Sequence, residues 1–188
     1  MIEATAYILI GGKSSRFGSE KWKARLSSHI ILDDIWKACS DFKERKLVGK
    51  KKAEKLDKDF IQDLHDINAP IVGLQTAIIA SQTNWILLLS CDLPLINRKV
   101  LKIIWDKREL EIEAVIPYSK NQLHPLCAIY NIKILDKLNF FISKKSFSMK
   151  HLIKNIKSKI INMDHYDRAF FNMNTQEDYN KIKQLYSK

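Results

Sequence analysis

The run Trp85–Ser90, WILLLS, is apolar at almost every position and stops at the polar step Cys91-Asp92-Leu93-Pro94. A strand with no polar face has to be covered on both sides. The remaining sequence alternates strand and helix signals. Strands are expected at residues 5–10, 46–49, 60–63, 113–117, 126–130 and 159–163. Helices are expected from about His29, over residues 74–82, after Asn97, over residues 132–141 and 146–153, and after Thr175. Ser28, Asn97 and Thr175 are the expected caps, with Asp178 at the third position of the last helix. The charged segment 50–59 fits either helix or loop. Strand and helix alternating along a chain specify an α/β fold: three layers, with a mostly parallel central sheet and helices on both faces. The 188 residues, 46% of them hydrophobic, suffice for one domain spanning 1–188.

In such sheets ligands bind beyond the carboxyl ends of the strands. Two candidate sites fall there. The first strand runs into Gly11-Gly12 and a polar loop with Lys13, Ser14, Arg16, Gly18 and Lys21. Glycines let backbone N–H groups approach phosphate oxygens, and Arg16 and Lys21 supply positive charge. Gly12-Lys13-Ser14 looks like the end of a Walker A loop, but the glycine required five residues earlier is Tyr7. The G-x-G-x-x-G pattern fails as well, because the glycines stand at 11, 12 and 18. The second candidate is Asp92, which follows WILLLS. A carboxylate there suits Mg2+, a hard cation that shares its oxygen ligands with substrate phosphates. The competing readings are a surface loop for the first site and a turn aspartate for the second.

The net charge of +11 admits a nucleic-acid binder. The lysines are scattered, however, and no zinc-finger or RNP motif accompanies them. Lys50-Lys51-Lys52 is the one true run and reads as a solvated loop. Partners are expected to exclude nucleic acid and membrane. Three cysteines, Cys39, Cys91 and Cys127, form no close-spaced pair. That sparse count fits a reducing cytoplasm. Cys91, Cys127 and the four tryptophans read as core. No apolar run reaches transmembrane length, and Met1-Ile2-Glu3 is expected to lead into a strand without a signal peptide.

The segment Gly11-Gly12-Lys13-Ser14-Ser15-Arg16-Phe17-Gly18-Ser19-Glu20-Lys21 resembles the signature loop of nucleotidyltransferases that join an NTP to a phosphorylated acceptor. Leu9-Ile10-Gly11-Gly12 resembles the form found in the molybdenum cofactor guanylyltransferases of the MobA type. The resemblance implies a Rossmann-like nucleotidyltransferase fold, with GTP as donor, molybdopterin as acceptor and Mg2+ as cofactor. It implies that Leu9, Ile10, Gly11, Gly12, Ser14 and Lys21 contact the nucleotide, with Arg16, Lys21 and Asp92 in catalysis. Cys91-Asp92-Leu93-Pro94 matches the family's C-D-x-P, which carries the metal-binding aspartate. Asp63 is preferred to Asp66 for a nucleoside contact, and Gly73 is expected to open the helix beside it. His124-Pro125 and Asn172-Met173-Asn174-Thr175 match an H-P pair and an N-x-N-T segment. They place His124, Pro125, Asn172 and Asn174 on the acceptor side. Transient contact with cofactor-synthesis proteins or molybdoenzyme apoproteins is also implied. Two departures stand out: Ala69 replaces a glycine, and residues 27–59 are short and featureless against the family. Alternative readings are a relative using CTP or a sugar or alditol phosphate, and a catalytically weakened cofactor-binding protein.

Overall fold

A computed structural model describes residues 1–11, 21–26, 28–53 and 56–186. Among these residues ten strands are formed: β1 (Ile2–Leu9), β2 (Arg25–Leu26), β3 (His29–Ile30), β4 (Phe42–Gly49), β5 (Phe60–Gln62), β6 (Trp85–Ser90), β7 (Ala114–Ser119), β8 (Gln122–Leu123), β9 (Cys127–Asn131) and β10 (Ser158–Asn162). The α-helices are α1 (Ile31–Ala38), α2 (Pro70–Ile79), α3 (Arg98–Asp106), α4 (Leu135–Ser143), α5 (Met149–Lys154) and α6 (Gln176–Tyr186). The main sheet runs β10-β7-β9-β6-β1-β4-β5, with β8 added to β7. All pairings between β6, β1, β4 and β5 are parallel, as is β10 with β7. Strand β9 lies between β6 and β7 and is antiparallel to both.

Side chains on successive strand positions point to opposite faces, and the two cores divide accordingly. Ala4, Ala6 and Ile8 of β1 and Leu87 and Leu89 of β6 pack with Ile31, Ile35, Val100, Leu101 and Ile104 from α1 and α3. Tyr7, Ile86 and Leu88 face the other way, toward Ile71, Leu74, Leu138 and Leu152 from α2, α4 and α5. The double cover expected for WILLLS is therefore supplied by two helical layers. Tyr7, Ile86, Leu87, Leu88 and Leu89 are fully buried.

Several local expectations needed correction. Ser28 caps nothing: His29 and Ile30 pair with Arg25 and Leu26 in a two-residue ribbon, and Ile30 takes the cap position of α1. The carbonyl of Ala24 supplies the acceptor instead, 2.9 Å from the Ile31 N–H. Helix α2 starts at Pro70, four residues before the expected start, so Gly73 lies inside it rather than opening it. Proline's fixed φ suits the first helical turn, and its missing N–H would have had no partner there. Strand β4 has 8 residues where four were expected. The capping expectations held at both other ends. Asn97 accepts from the Val100 N–H at 3.1 Å. Thr175 Oγ1 accepts from Asp178 N–H at 3.1 Å while Asp178 accepts from Thr175 N–H at 2.8 Å, a reciprocal box. The four tryptophans are half-buried and pack against the first core, as expected. Trp36 carries Arg45 on its face, and Trp85 and Trp105 both approach Arg108. Among the described residues no helix is long and apolar enough to cross a membrane.

Candidate functional site

Strand register fixes what meets at the carboxyl edge. Leu9 stands level with Val48 of β4 and Ser90 of β6, and Gln62 of β5 is level with Gly49. The chain beyond each of these residues therefore emerges on one side of the sheet. Gly11 follows β1 with φ +118°, a conformation that glycine adopts without strain. The Cys91 N–H donates to the Leu9 carbonyl at 3.2 Å, so the step into Asp92 is tied to the step into Gly11. Gly11 and the Asp92 turn are neighbours, as their positions after two buried strands led us to expect. Gly12, Ser14 and Arg16 lie outside the described residues, and so does the side chain of Lys21.

A cavity of about 530 Å3 opens at this edge. Leu9, Ile10 and Gly11 line it from β1, Val48 and Gly49 from β4, and Ser90 from β6. Asp63, Ala69, Pro70 and Gly73 form the wall toward α2, and Leu126 closes the β9 side. Of the two candidate aspartates, Asp63 lines the cavity and Asp66 is exposed. The Asp63 side chain is 9% exposed. Its Oδ2 accepts from Lys50 Nζ at 2.9 Å and its Oδ1 from the Thr76 hydroxyl at 2.7 Å. Lys50 thus leaves the solvated run in which the sequence placed it, and becomes part of the wall, while Lys51 and Lys52 stay exposed.

Two glycines of this wall permit close approach of backbone. A Cβ on Gly49 would stand 2.6 Å from the Ile10 carbonyl oxygen, inside van der Waals contact with an immovable group. A Cβ on Gly73 would stand 2.8 Å from Leu9 Cδ2, the end of a side chain that can turn. Sequence reading passed over Gly49, although a glycine closing a strand just before a lysine was the available signal. Lys50 and Thr76 offered none.

The opposite side of the edge is built from three separated segments. His124, half-buried between β8 and β9, stacks on Phe170 with ring centroids 4.4 Å apart and planes 23° from parallel. Its Nε2 forms a 2.8 Å hydrogen bond with the Ser119 hydroxyl. Burial holds the His124 pKa below the usual histidine value, and hydrogen bonding with Ser119 works the other way. The Pro125 carbonyl accepts from the Tyr130 hydroxyl at 2.8 Å. Phe170 leads into Asn172-Met173-Asn174, and the Met173 N–H donates to the Asp92 carbonyl at 2.8 Å. The H-P pair, the N-x-N-T segment and the Asp92 turn, far apart in sequence, are thereby joined through Phe170 and Met173. Phe170 and Ser119 are members of this group that the sequence did not single out.

Asp92 is half-buried, and no described residue donates a hydrogen bond to its carboxylate. Among the described residues no three carboxylate, histidine or cysteine side chains cluster as a metal cage. A carboxylate beside Gly11 to which no described residue donates fits Mg2+, which commonly binds one or two carboxylates and completes its shell with substrate oxygens and water. It does not fit zinc, which takes three or four protein ligands. Cys91 and Cys127 are buried as expected, and burial pushes the Cys127 thiol up in pKa.

The family model for the MobA-like NTP transferase domain matches residues 6–159. A "Probable molybdenum cofactor guanylyltransferase" from Flavobacterium johnsoniae is 31% identical over 181 residues, covering 95% of this chain and 95% of that protein. A protein of the same description from Aquifex aeolicus is 30% identical, covering 95% and 89%. Among solved structures, molybdopterin-guanine dinucleotide biosynthesis protein A from Archaeoglobus fulgidus superposes with a TM-score of 0.85 at 21% identity, over 97% of this chain and 98% of that one. The matched region runs from β1 through the start of β10 and takes in the Gly11 entrance, the Asp63 wall, the Asp92 turn and the H-P pair; this chain belongs to the MobA-like NTP transferase domain family.

Proposed function

We propose that this chain, a single domain over residues 1–188, transfers GMP from GTP to the phosphate of molybdopterin or the molybdenum cofactor and releases pyrophosphate. The observation that carries the reading is the junction of β1 and β6. It sets Gly11 beside Asp92, with a cavity on one side and the His124–Phe170–Met173 group on the other. The descriptions of the relatives at 30% and 31% identity name the donor base and the acceptor.

In the reaction, an oxygen of the acceptor phosphate attacks the α-phosphorus of GTP. The bond from that phosphorus to the α–β bridging oxygen breaks, and pyrophosphate leaves with the electron pair. GMP ends joined to the cofactor through a new phosphoanhydride. Little covalent work falls to the protein, which positions the reactants and meets developing charge. Leu9, Ile10, Gly11, Gly12 and Ser14 hold the nucleotide, with Arg16 and Lys21 facing the triphosphate. Asp63 and Gly73 bound the nucleoside. His124, Pro125, Asn172 and Asn174 bound the acceptor. Asp92 would hold Mg2+, which supplies charge neutralisation at the phosphate oxygens. The expected location is the cytoplasm.

Guanine is selected by backbone groups along residues 9–12. A base that leaves such groups unpaired loses about 1–3 kcal/mol for each buried one. The test is pyrophosphate release with GTP, CTP or ATP at equal concentration, with and without molybdopterin. Release that needs both GTP and molybdopterin is expected. A preference for CTP overturns the base assignment, and no release with any pair overturns the transferase reading.

A further inference from the structure

We propose that Lys50 is a positioning residue for the nucleoside half of the site: its ammonium fixes the cavity wall and does not bind phosphate. The inference rests on the nucleotide reading of the cavity. Lys50 follows β4 and lines the cavity, with its side chain 31% exposed. An ammonium has three N–H donors. Here Nζ meets Asp63 Oδ2 at 2.9 Å, the Ile67 carbonyl at 2.8 Å and the His65 carbonyl. Every donor therefore has an acceptor in residues 63–67. A lysine committed in this way is a strut between β4 and the segment that leads into Pro70 and α2.

The strut continues on the far side of Asp63. The Thr76 hydroxyl, from the second turn of α2, donates to Asp63 Oδ1 and accepts from the Leu64 N–H at 3.1 Å. Both carboxylate oxygens are thus held, one from the sheet and one from the helix. The pair Lys50–Asp63 also cancels its own charge. Apart from this pair the lining is mostly apolar, with Leu9, Val48, Ala69 and Leu126 among its members and Asn68 and Ser90 as its polar side chains. A locally neutral, mostly apolar wall suits a base and ribose. A triphosphate belongs with Arg16 and Lys21, the cations that the sequence places after Gly11. The neutral wall on the other side then gives the nucleotide a direction across the edge.

The experiment compares equilibrium binding of GTP and of inorganic tripolyphosphate by calorimetry, for the wild type, Lys50→Met and the exposed neighbour variant Lys52→Met. Lys50→Met is expected to weaken GTP by roughly tenfold or more, the effect of taking one partner from a charge-assisted hydrogen bond. Tripolyphosphate affinity should stay within about twofold, and Lys52→Met should match wild type for both ligands. Equal weakening of both ligands makes Lys50 a phosphate ligand and overturns the proposal, as does unchanged GTP affinity. A second measurement needs no variant. In competitive acylation of the native protein followed by peptide mapping, Lys50 should react more slowly than Lys52, with no further protection from tripolyphosphate. Protection by tripolyphosphate overturns the proposal. A wild type that binds GTP yet releases no pyrophosphate ends the transferase reading and leaves both comparisons intact.

Discussion

Met173 donates its backbone N–H to the backbone carbonyl of Asp92 at 2.8 Å, so the turn that presents Asp92 is held through main chain alone. Neutralising the side chain should therefore have little consequence for the fold.

Asp92→Asn keeps that hydrogen bond and nearly the same volume. It is expected to unfold within a few degrees of wild type. Loss of a metal ligand's charge removes several kcal/mol of Lewis-acid stabilisation, and each ~1.4 kcal/mol is tenfold in rate. Turnover should therefore fall on the order of a hundredfold or more. Raised Mg2+ should recover part of it. The check is pyrophosphate release against Mg2+ concentration, beside circular dichroism. A folded variant with wild-type turnover reduces Asp92 to a turn residue.

The two wall glycines should respond in opposite ways to one added methyl. Gly49→Ala drives a Cβ against the Ile10 carbonyl oxygen, a backbone group that cannot turn aside. A loss of about 1–3 kcal/mol is expected, as for other overpacked sites. Gly73→Ala meets only the tip of Leu9, and gains up to ~1 kcal/mol of helix propensity inside α2. Its stability should be near wild type or above. Its GTP affinity should fall, because the displaced Leu9 side chain lines the cavity. Urea midpoints and calorimetric binding separate the two. A stable Gly49→Ala protein contradicts the packing at Ile10.

His124 links stability to pH. Burial depresses its pKa in the fold, with Ser119 opposing. The unfolded chain thus binds the proton more readily, and the sign follows: full stability holds above the unfolded value of about 6.5 and drains away as pH falls from there through the folded pKa. His124→Gln should flatten that portion of the curve of melting temperature against pH. An unchanged slope in the variant assigns the acid sensitivity to other groups.

The last helix depends on its box. Thr175→Ala removes the acceptor for the Asp178 N–H and should cost about 1 kcal/mol. Asp178 is held below the usual carboxylate pKa: burial works against ionisation, but the N–H groups of Asn174 and Thr175 and the Thr175 hydroxyl outweigh it. Its contribution is present above the unfolded carboxylate pKa and disappears as pH drops through the folded one. Asp178→Asn should lose stability at neutral pH and converge with wild type in acid. Thermal melts at a series of pH values read both variants, and curves that stay parallel into acid argue against the ionised cap.

The parts of the molecule legible in sequence are those where one local pattern suffices. WILLLS announces double cover, Asn97 and Thr175 announce helix starts, and a glycine pair after an apolar strand announces a loop at the carboxyl edge. The α/β class follows from alternation alone. What escaped depends on where distant segments return. Lys50, Lys51 and Lys52 are chemically alike, and only the passage of residues 63–67 over the end of β4 selects the first of them. Ser28 has a capping side chain, yet Arg25 and Leu26 pair with the residues it was to precede. Pro70 lies outside the helix expected over residues 74–82 and is the first residue of α2. The direction of β9 is invisible to periodicity, because a buried strand is equally apolar read either way.

That reversed strand has a consequence for the chain as it is made. Strand β6 finds its partner β1 already synthesised, but its other side is completed only by β9, whose residues Cys127–Asn131 come much later. Until then WILLLS presents an unsatisfied row of amide groups flanked by uncharged, β-favouring side chains, the kind of edge that recruits other molecules. A nascent or truncated chain ending before Cys127 is thus prone to aggregate, and safety from self-association arrives with a five-residue strand inserted against the grain of the sheet.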